Sequence, residues 1–173
     1  MWYLCGLGSN ISPEKNLPLA VARLADRFGE VRLSPVIRTP PYGMVTERCF
    51  LNALVLFQSP CKPDQIKSLF NGLEEALGRD RSDPLRSVRD RPLDVDILQT
   101  APTPDFDRVF VEEGYFRQLL KGGPVEGVAL SLNGQLLGQT TATVYRDQGA
   151  GHKVIVQQGQ NLLDDAVKTA LPG

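Results

Sequence analysis

The chain has 173 residues, 42% of them hydrophobic, with 19 basic against 20 acidic side chains and a single histidine. That is enough apolar material for one buried core, and a net charge of −1 gives no field for gathering a nucleic acid or an anionic membrane surface. No apolar run nears the roughly 20 residues of a membrane span, and the first six residues lack the length and basic leader of a signal peptide.

Taken in order, residues 2–7 form an apolar strand that ends at Gly8-Ser9-Asn10. Ser12-Pro13 marks a helix start. Leu17, Ala20, Val21, Leu24, Ala25 and Phe28 then recur at helical spacing until Gly29 stops the helix. Residues 30–38 alternate as a strand interrupted at Pro35, and Arg38-Thr39-Pro40-Pro41-Tyr42-Gly43 reads as an extended loop because residues before proline avoid the helical region. Residues 49–58 predict a strand buried on both faces. Ile66, Leu69, Phe70, Leu73 and Leu77 carry a second helix over 63–77, followed by Gly78. A strand around Leu93–Ile97 completes the order strand, helix, strand, strand, helix, strand, which predicts an α+β, ferredoxin-like βαββαβ sandwich with helices on one face of a mainly antiparallel sheet. Beyond residue 100, Pro102-Thr103-Pro104-Asp105 is a turn. A hairpin crosses Asn133-Gly134, short strands fall at 143–145 and 154–156, and a small helix is expected over 161–171. The division expected is a core over 1–125 and a C-terminal β extension over 126–173.

Leu93-Asp94-Val95-Asp96-Ile97 carries the chemistry. Alternation puts Leu93, Val95 and Ile97 on one face and both carboxylates on the other, with Cα atoms roughly 7 Å apart. Like charges so placed repel, and removing one is expected to cost little stability or even add some. A hard oxygen-liganded cation such as magnesium suits the pair. Upstream lie Arg79, Arg81, Arg86, Arg89 and Arg91, which can face a polyphosphate opposite the metal. The same residues also fit a half-exposed strand preceded by a salt-bridged arginine loop. Cys5, Cys49 and Cys61 are odd in number and lack metal-ligand spacing, so reduced thiols in a cytoplasmic protein are expected. His152, in a glycine-rich turn, leaves no second histidine for a zinc site.

The ordered set Gly8-Ser9-Asn10, Arg38-Thr39-Pro40-Pro41-Tyr42-Gly43, Phe50-Leu51-Asn52-Ala53, Glu74 with Gly78-Arg79-Asp80-Arg81, and Arg91-Pro92-Leu93-Asp94-Val95-Asp96-Ile97-Leu98 resembles the 6-hydroxymethyl-7,8-dihydropterin pyrophosphokinases. These are folate-pathway enzymes that move a pyrophosphoryl group from ATP to a pterin alcohol. The resemblance implies two magnesium ions held by Asp94 and Asp96, and ATP as co-substrate. Arg79, Arg81 and Arg91 would brace the triphosphate, with Glu74 and Ile97 beside the nucleotide. On the pterin side it implies Asn52 bonding the ring and Thr39, Pro40 and Tyr42 lining it from the loop. Phe50 lies on the same strand face as Asn52, and Phe116 would stack on the ring or else pack in the core. The resemblance implies small-molecule substrates. The neutral charge and the lack of a long apolar run add the expectation of no nucleic acid and no membrane, and a monomer or homodimer is expected.

The chain also departs from the family's pattern. Ser87-Val88-Arg89-Asp90-Arg91 stands where an Arg-Trp-Gly-Pro-Arg run is usual, and the segment from Phe106 to Leu120 has no histidine. An expected arginine falls near Glu113 or Gly114, with Arg108 or Arg117 as substitutes. Two further readings are a homologue that binds pterin or nucleotide without turnover, and an RNA-binding domain of the same element order. The apolar faces of residues 50–57 and the neutral charge argue against the second.

Overall fold

The computed structural model describes residues 1–41, 48–80, 82–85, 90–106, 111–149, 151, 153–159 and 162–163. Tyr42, Arg81, Arg86, Arg89, Arg108, His152 and most of the helix expected over 161–171 lie outside them.

The strands are β1 (Trp2–Ser9), β2 (Glu30–Leu33), β3 (Ile37–Thr39), β4 (Phe50–Gln58) and β5 (Asp94–Ala101), with the helices α1 (Pro13–Phe28) and α2 (Pro63–Ala76) between them. After these come α3 (Gly114–Lys121), β6 (Leu130–Leu132), β7 (Gln135–Leu137), β8 (Ala142–Arg146) and β9 (Val154–Gln158). The main sheet runs β5-β1-β4-β2-β8-β9, with β3 pairing β4 beside β2. Its first four positions have the ferredoxin-like order, and every pairing is antiparallel.

One face of the sheet carries α1 and α2. Tyr3, Cys5 and Leu7 of β1, and Leu51, Ala53, Val55 and Phe57 of β4, meet Leu17, Val21, Leu24, Ile66 and Phe70 in one buried cluster. Phe57 is central to it. Its ring stacks on Phe28 at 3.9 Å and on Tyr3 at 5.4 Å, and meets Phe70 edge-on at 6.2 Å, so one side chain joins both helices to the sheet.

The two expected helices thus share one face, and a third, not expected from the sequence, is added. α3 lies on the opposite face, where Phe116, Leu119 and Leu120 pack with Trp2, Leu4, Leu54 and Leu56. Its apolar residues span only two turns, and the preceding glutamates mask the pattern. The interruption at Pro35 is a break between β2 and β3, and Arg38 and Thr39 belong to β3 rather than to a loop. Ser12 occupies the helix start, but its side chain does not cap; its carbonyl accepts from Lys15 and Asn16 instead.

The C-terminal stretch widens the sheet. β8 pairs β2 from Glu30↔Tyr145 to Leu33↔Ala142, and β9 pairs β8. The β6–β7 hairpin turns at Asn133 (φ 50°) and Gly134 (φ 79°), the two left-handed residues of a type I′ turn. Leu130, Leu132, Leu137, Val144 and Val154 join the same buried cluster as α1 and α2.

Candidate active site

Residues paired across neighbouring strands share a face. Asp94 pairs Gly8, Gly8 pairs Asn52 and Asn52 pairs Ile37, forming one row on the α3 side of the sheet. The next row is Asp96, Gly6 and Leu54. The two glycines of β1 are therefore the floor between the carboxylates and the asparagine. A Cβ on Gly8 would collide with Asn52 Oδ1, and one on Gly6 would lie 2.6 Å from the Phe116 ring. Glycine is required here because a side chain and a ring already fill the space above the strand.

A cavity of about 730 Å³ opens over this floor. Thr39, Pro40, Phe50 and Asn52 form one wall, Arg91 and Asp94 the end, and Glu112 to Tyr115 the facing wall. Asn52 is buried, and its Nδ2 donates to Thr39 Oγ1 at 2.7 Å. That bond fixes the carboxamide plane, which a buried amide needs if its donors and acceptor are to read the edge of a flat heterocycle. A second cavity of about 230 Å³ lies between α2 and the open edge of β5, and Lys67, Glu74, Arg79, Asp94, Asp96 and Ile97 line it. Asp94 lines both cavities.

The charges are arranged around Asp94. Arg79 Nη1 donates to Asp94 Oδ1 and Arg91 Nη1 to Asp94 Oδ2, both at 3.0 Å. Arg79 Nη1 also reaches Glu74 Oε1 at 3.2 Å, and Glu74 is only 3% exposed. A buried glutamate held by a guanidinium fixes that guanidinium in turn. Asp96 differs: its carboxyl is pushed up to about 6, first by burial and then by the Asp94 charge, with Arg79 and Arg91 acting the other way. Two carboxylates of which one resists ionisation form a donor set that a divalent cation would relieve. Among the described residues no group of three or more His, Cys, Asp or Glu side chains could hold a metal.

Of the residues expected at the site, Thr39, Pro40, Phe50, Asn52, Glu74, Arg79, Arg91, Asp94, Asp96 and Ile97 all line one or other cavity. Tyr42 and Arg81 are outside the described residues. Phe116 does not line the larger cavity; it is 6% exposed and packs over Gly6 in the core. Helix geometry turns its neighbour Tyr115 into the cavity instead. Burial, then Glu113, Asp94 and Asp96, raise the Tyr115 phenol, so it stays a donor. Arg117 donates to the carbonyls of Val111 and Glu112 at 2.8 and 2.6 Å, which ties it to the loop before α3.

Two contributions were not assigned from the sequence. Asn10, 3% exposed, accepts from Arg91 N–H through Oδ1 at 2.7 Å and donates to Asp90 Oδ1 at 2.9 Å. Its place in the Gly8-Ser9-Asn10 run was the available signal. Glu112 and Glu113 also line the cavity wall; the sequence places Glu113 near the expected arginine but does not show that it faces the cavity.

The model of the 7,8-dihydro-6-hydroxymethylpterin-pyrophosphokinase family matches residues 4–116. The chain belongs to this family. Proteins from two strains of Porphyromonas gingivalis, each named 2-amino-4-hydroxy-6-hydroxymethyldihydropteridine pyrophosphokinase, are 36% identical over 94 residues, covering 53% of this chain and 64% of the relative. A protein of the same name from Methylorubrum extorquens is 38% identical over 96 residues, covering 54% of this chain and 59% of the relative. The chain therefore spans less than two thirds of the length of these relatives. The matched region holds both cavities, and α3 from Arg117 onward and β6 to β9 follow it. Among the described residues no helix is long and apolar enough to cross a membrane.

Proposed function

We propose that the protein transfers pyrophosphate from ATP to 6-hydroxymethyl-7,8-dihydropterin, giving AMP, a step of folate biosynthesis, with magnesium at Asp94 and Asp96. The observation that carries this reading is the shared carboxylate. Asp94 stands between a cavity lined by Asn52, Thr39, Phe50 and Tyr115 and a second lined by Glu74, Arg79 and Ile97. A pterin in the first would bring its hydroxymethyl oxygen toward a nucleotide in the second, and such positioning is the main task of a phosphoryl-transfer site.

The hydroxymethyl oxygen forms a bond to the β-phosphorus of ATP, the bond from that phosphorus to the α-phosphate oxygen breaks, and AMP leaves. The hydroxyl proton passes to solvent or phosphate. When bound at the two aspartates, magnesium would neutralise phosphate oxygens and align nucleophile and leaving group. Arg91 and Arg79 supply guanidinium charge on Asp94 and can follow the phosphates as these arrive. Asn52, braced by Thr39, reads the pterin edge, and Tyr115 offers its ring face to the heterocycle. Cys5 takes no part: it is fully buried, and burial keeps its thiol protonated, so no covalent intermediate is invoked. The three free cysteines support a reducing, cytoplasmic setting.

A second reading, pterin binding without turnover, is favoured by Glu112 and Glu113, which line the larger cavity where the resemblance expects an arginine. Incubation with magnesium, ATP and the dihydropterin, assayed for AMP, separates the two. AMP formation supports the transferase, whereas labelled pterin retained without AMP supports the binding module.

A further inference from the structure

Val36 lies in the break between β2 and β3 and is 1% exposed. Both of its main-chain groups are taken by chain that follows α3. Its N–H donates to the Gly138 carbonyl at 2.8 Å, and its own carbonyl accepts from Val128 N–H at 2.7 Å. The two arms of this clamp touch each other backbone to backbone. A Cβ on Gly127 would lie 2.5 Å from the Gln139 carbonyl oxygen and 2.6 Å from that of Gly138. A Cβ on Gly138 would collide with the Val128 carbonyl oxygen, and its φ of +98° is itself a glycine conformation.

β3 starts at the next residue. It is three residues long and pairs β4 through Ile37↔Asn52 and Thr39↔Phe50, and so short a strand is held weakly by one ladder alone. Yet Thr39 is the partner that orients Asn52, and Pro40 continues the same cavity wall. The clamp is therefore three residues from the Thr39–Asn52 bond along an extended backbone. The residues that make it, 127–138, lie beyond the family match, which ends at residue 116.

We infer that residues 127–138 are a positioning element for the larger cavity: by holding Val36 from both sides they set β3, and with it the Thr39–Asn52 wall. The naming of the ligand as a pterin rests on the function proposed above; the mechanical coupling does not.

The test compares Val128→Pro, which deletes the N–H donated to Val36, and Gly138→Ala, which forces the two arms apart. Gly134→Ala is the control, since it strains the β6–β7 turn of the same segment where a Cβ meets nothing within 4 Å. Dihydropterin and magnesium–ATP affinities are measured by equilibrium titration, and amide hydrogen exchange at residues 37–39 is followed without ligand. A displacement of the wall by a fraction of an ångström predicts pterin affinity weaker by roughly ten- to a hundredfold in the folded clamp variants, unchanged magnesium–ATP affinity, faster exchange at residues 37–39, and neither change in Gly134→Ala. The inference is overturned if a folded clamp variant keeps wild-type exchange and pterin affinity. It is equally overturned if both ligands weaken together, or if Gly134→Ala behaves like the clamp variants. If Gly138→Ala does not fold, Val128→Pro decides. Wild-type protein that binds no pterin refutes the proposed function, and exchange at residues 37–39 then decides the coupling alone.

Discussion

Asn10 and Arg91 are tied together through the main chain at two points. Asn10 N–H donates to the Arg91 carbonyl at 3.1 Å, and Arg91 N–H donates back to Asn10 Oδ1 at 2.7 Å. Asn10 Nδ2 adds Asp90, whose other oxygen faces Arg48 Nε at 3.4 Å. One buried side chain thus joins the end of β1 to the segment entering β5 and, through Asp90, to the segment leading into β4.

Asn10→Ala is expected to leave the Arg91 amide without its partner, costing about 1–3 kcal/mol of stability. The Arg91 guanidinium should then be misplaced on Asp94. Thermal unfolding should show a lower Tm, and AMP production should fall more than the pterin affinity does. Equal losses in both would mean that Asn10 only supports the fold.

The two aspartates should behave differently. Removing a like charge was expected to cost little at either, but Asp94 holds two arginines while Asp96 is the carboxyl that resists ionisation. Asp94→Ala should lower stability by roughly 1–3 kcal/mol, because two charged hydrogen bonds are lost. Asp96→Asn should leave metal-free stability unchanged or raised. Both should lose turnover by several orders of magnitude, as expected when a phosphate-bridging cation loses a ligand. Denaturant titrations beside AMP assays check both halves.

Asp96 also sets a pH dependence. Its carboxyl is raised to about 6 in the folded chain, so it binds its proton more tightly there than in the unfolded chain. The resulting stability is fully present below the ordinary aspartate value of about 4 and is lost as pH rises through about 6. Metal-free protein should therefore lose Tm across that window, and Asp96→Asn should remove this part of the slope. Magnesium should bind more tightly as the pH rises through the same range, because binding needs the carboxylate. A slope unchanged in Asp96→Asn would assign the titration elsewhere.

Tyr115 and Phe116 separate binding from packing. Tyr115→Ala should weaken pterin binding with a small change in Tm, whereas Phe116→Ala should cost about 3–5 kcal/mol through the cavity left over Gly6. Fluorescence titration with the dihydropterin, paired with thermal unfolding, gives both numbers. Weaker binding in Phe116→Ala alone would reverse the roles.

The parts legible in the sequence are those governed by local alternation and by punctuation. Asp94 and Asp96 share a face because the strand period is two, and the Asn133-Gly134 turn follows from left-handed backbone preference. Asn52 could be placed because Phe50 and Leu54 flank it on the same face. What stayed hidden depends on contacts distant in sequence. The pairing of β8 with β2 joins Glu30 to Tyr145, and no local pattern encodes it. α3 is two turns long, and whether Tyr115 or Phe116 faces the cavity turns on one step of helix rotation, which spacing alone could not fix. Asn10 was visible as part of a run, but its partners Asp90 and Arg91 lie 80 and 81 positions away.

The central claim is that one phosphorus of ATP is transferred with its neighbour attached. Phosphorus NMR of the protein with magnesium, ATP and 6-hydroxymethyl-7,8-dihydropterin tests it directly. The account predicts loss of the ATP signals together with growth of AMP and of two coupled phosphorus resonances on the pterin product. ADP with a single phosphorus on the pterin, or ATP left unchanged while pterin binds, would contradict it.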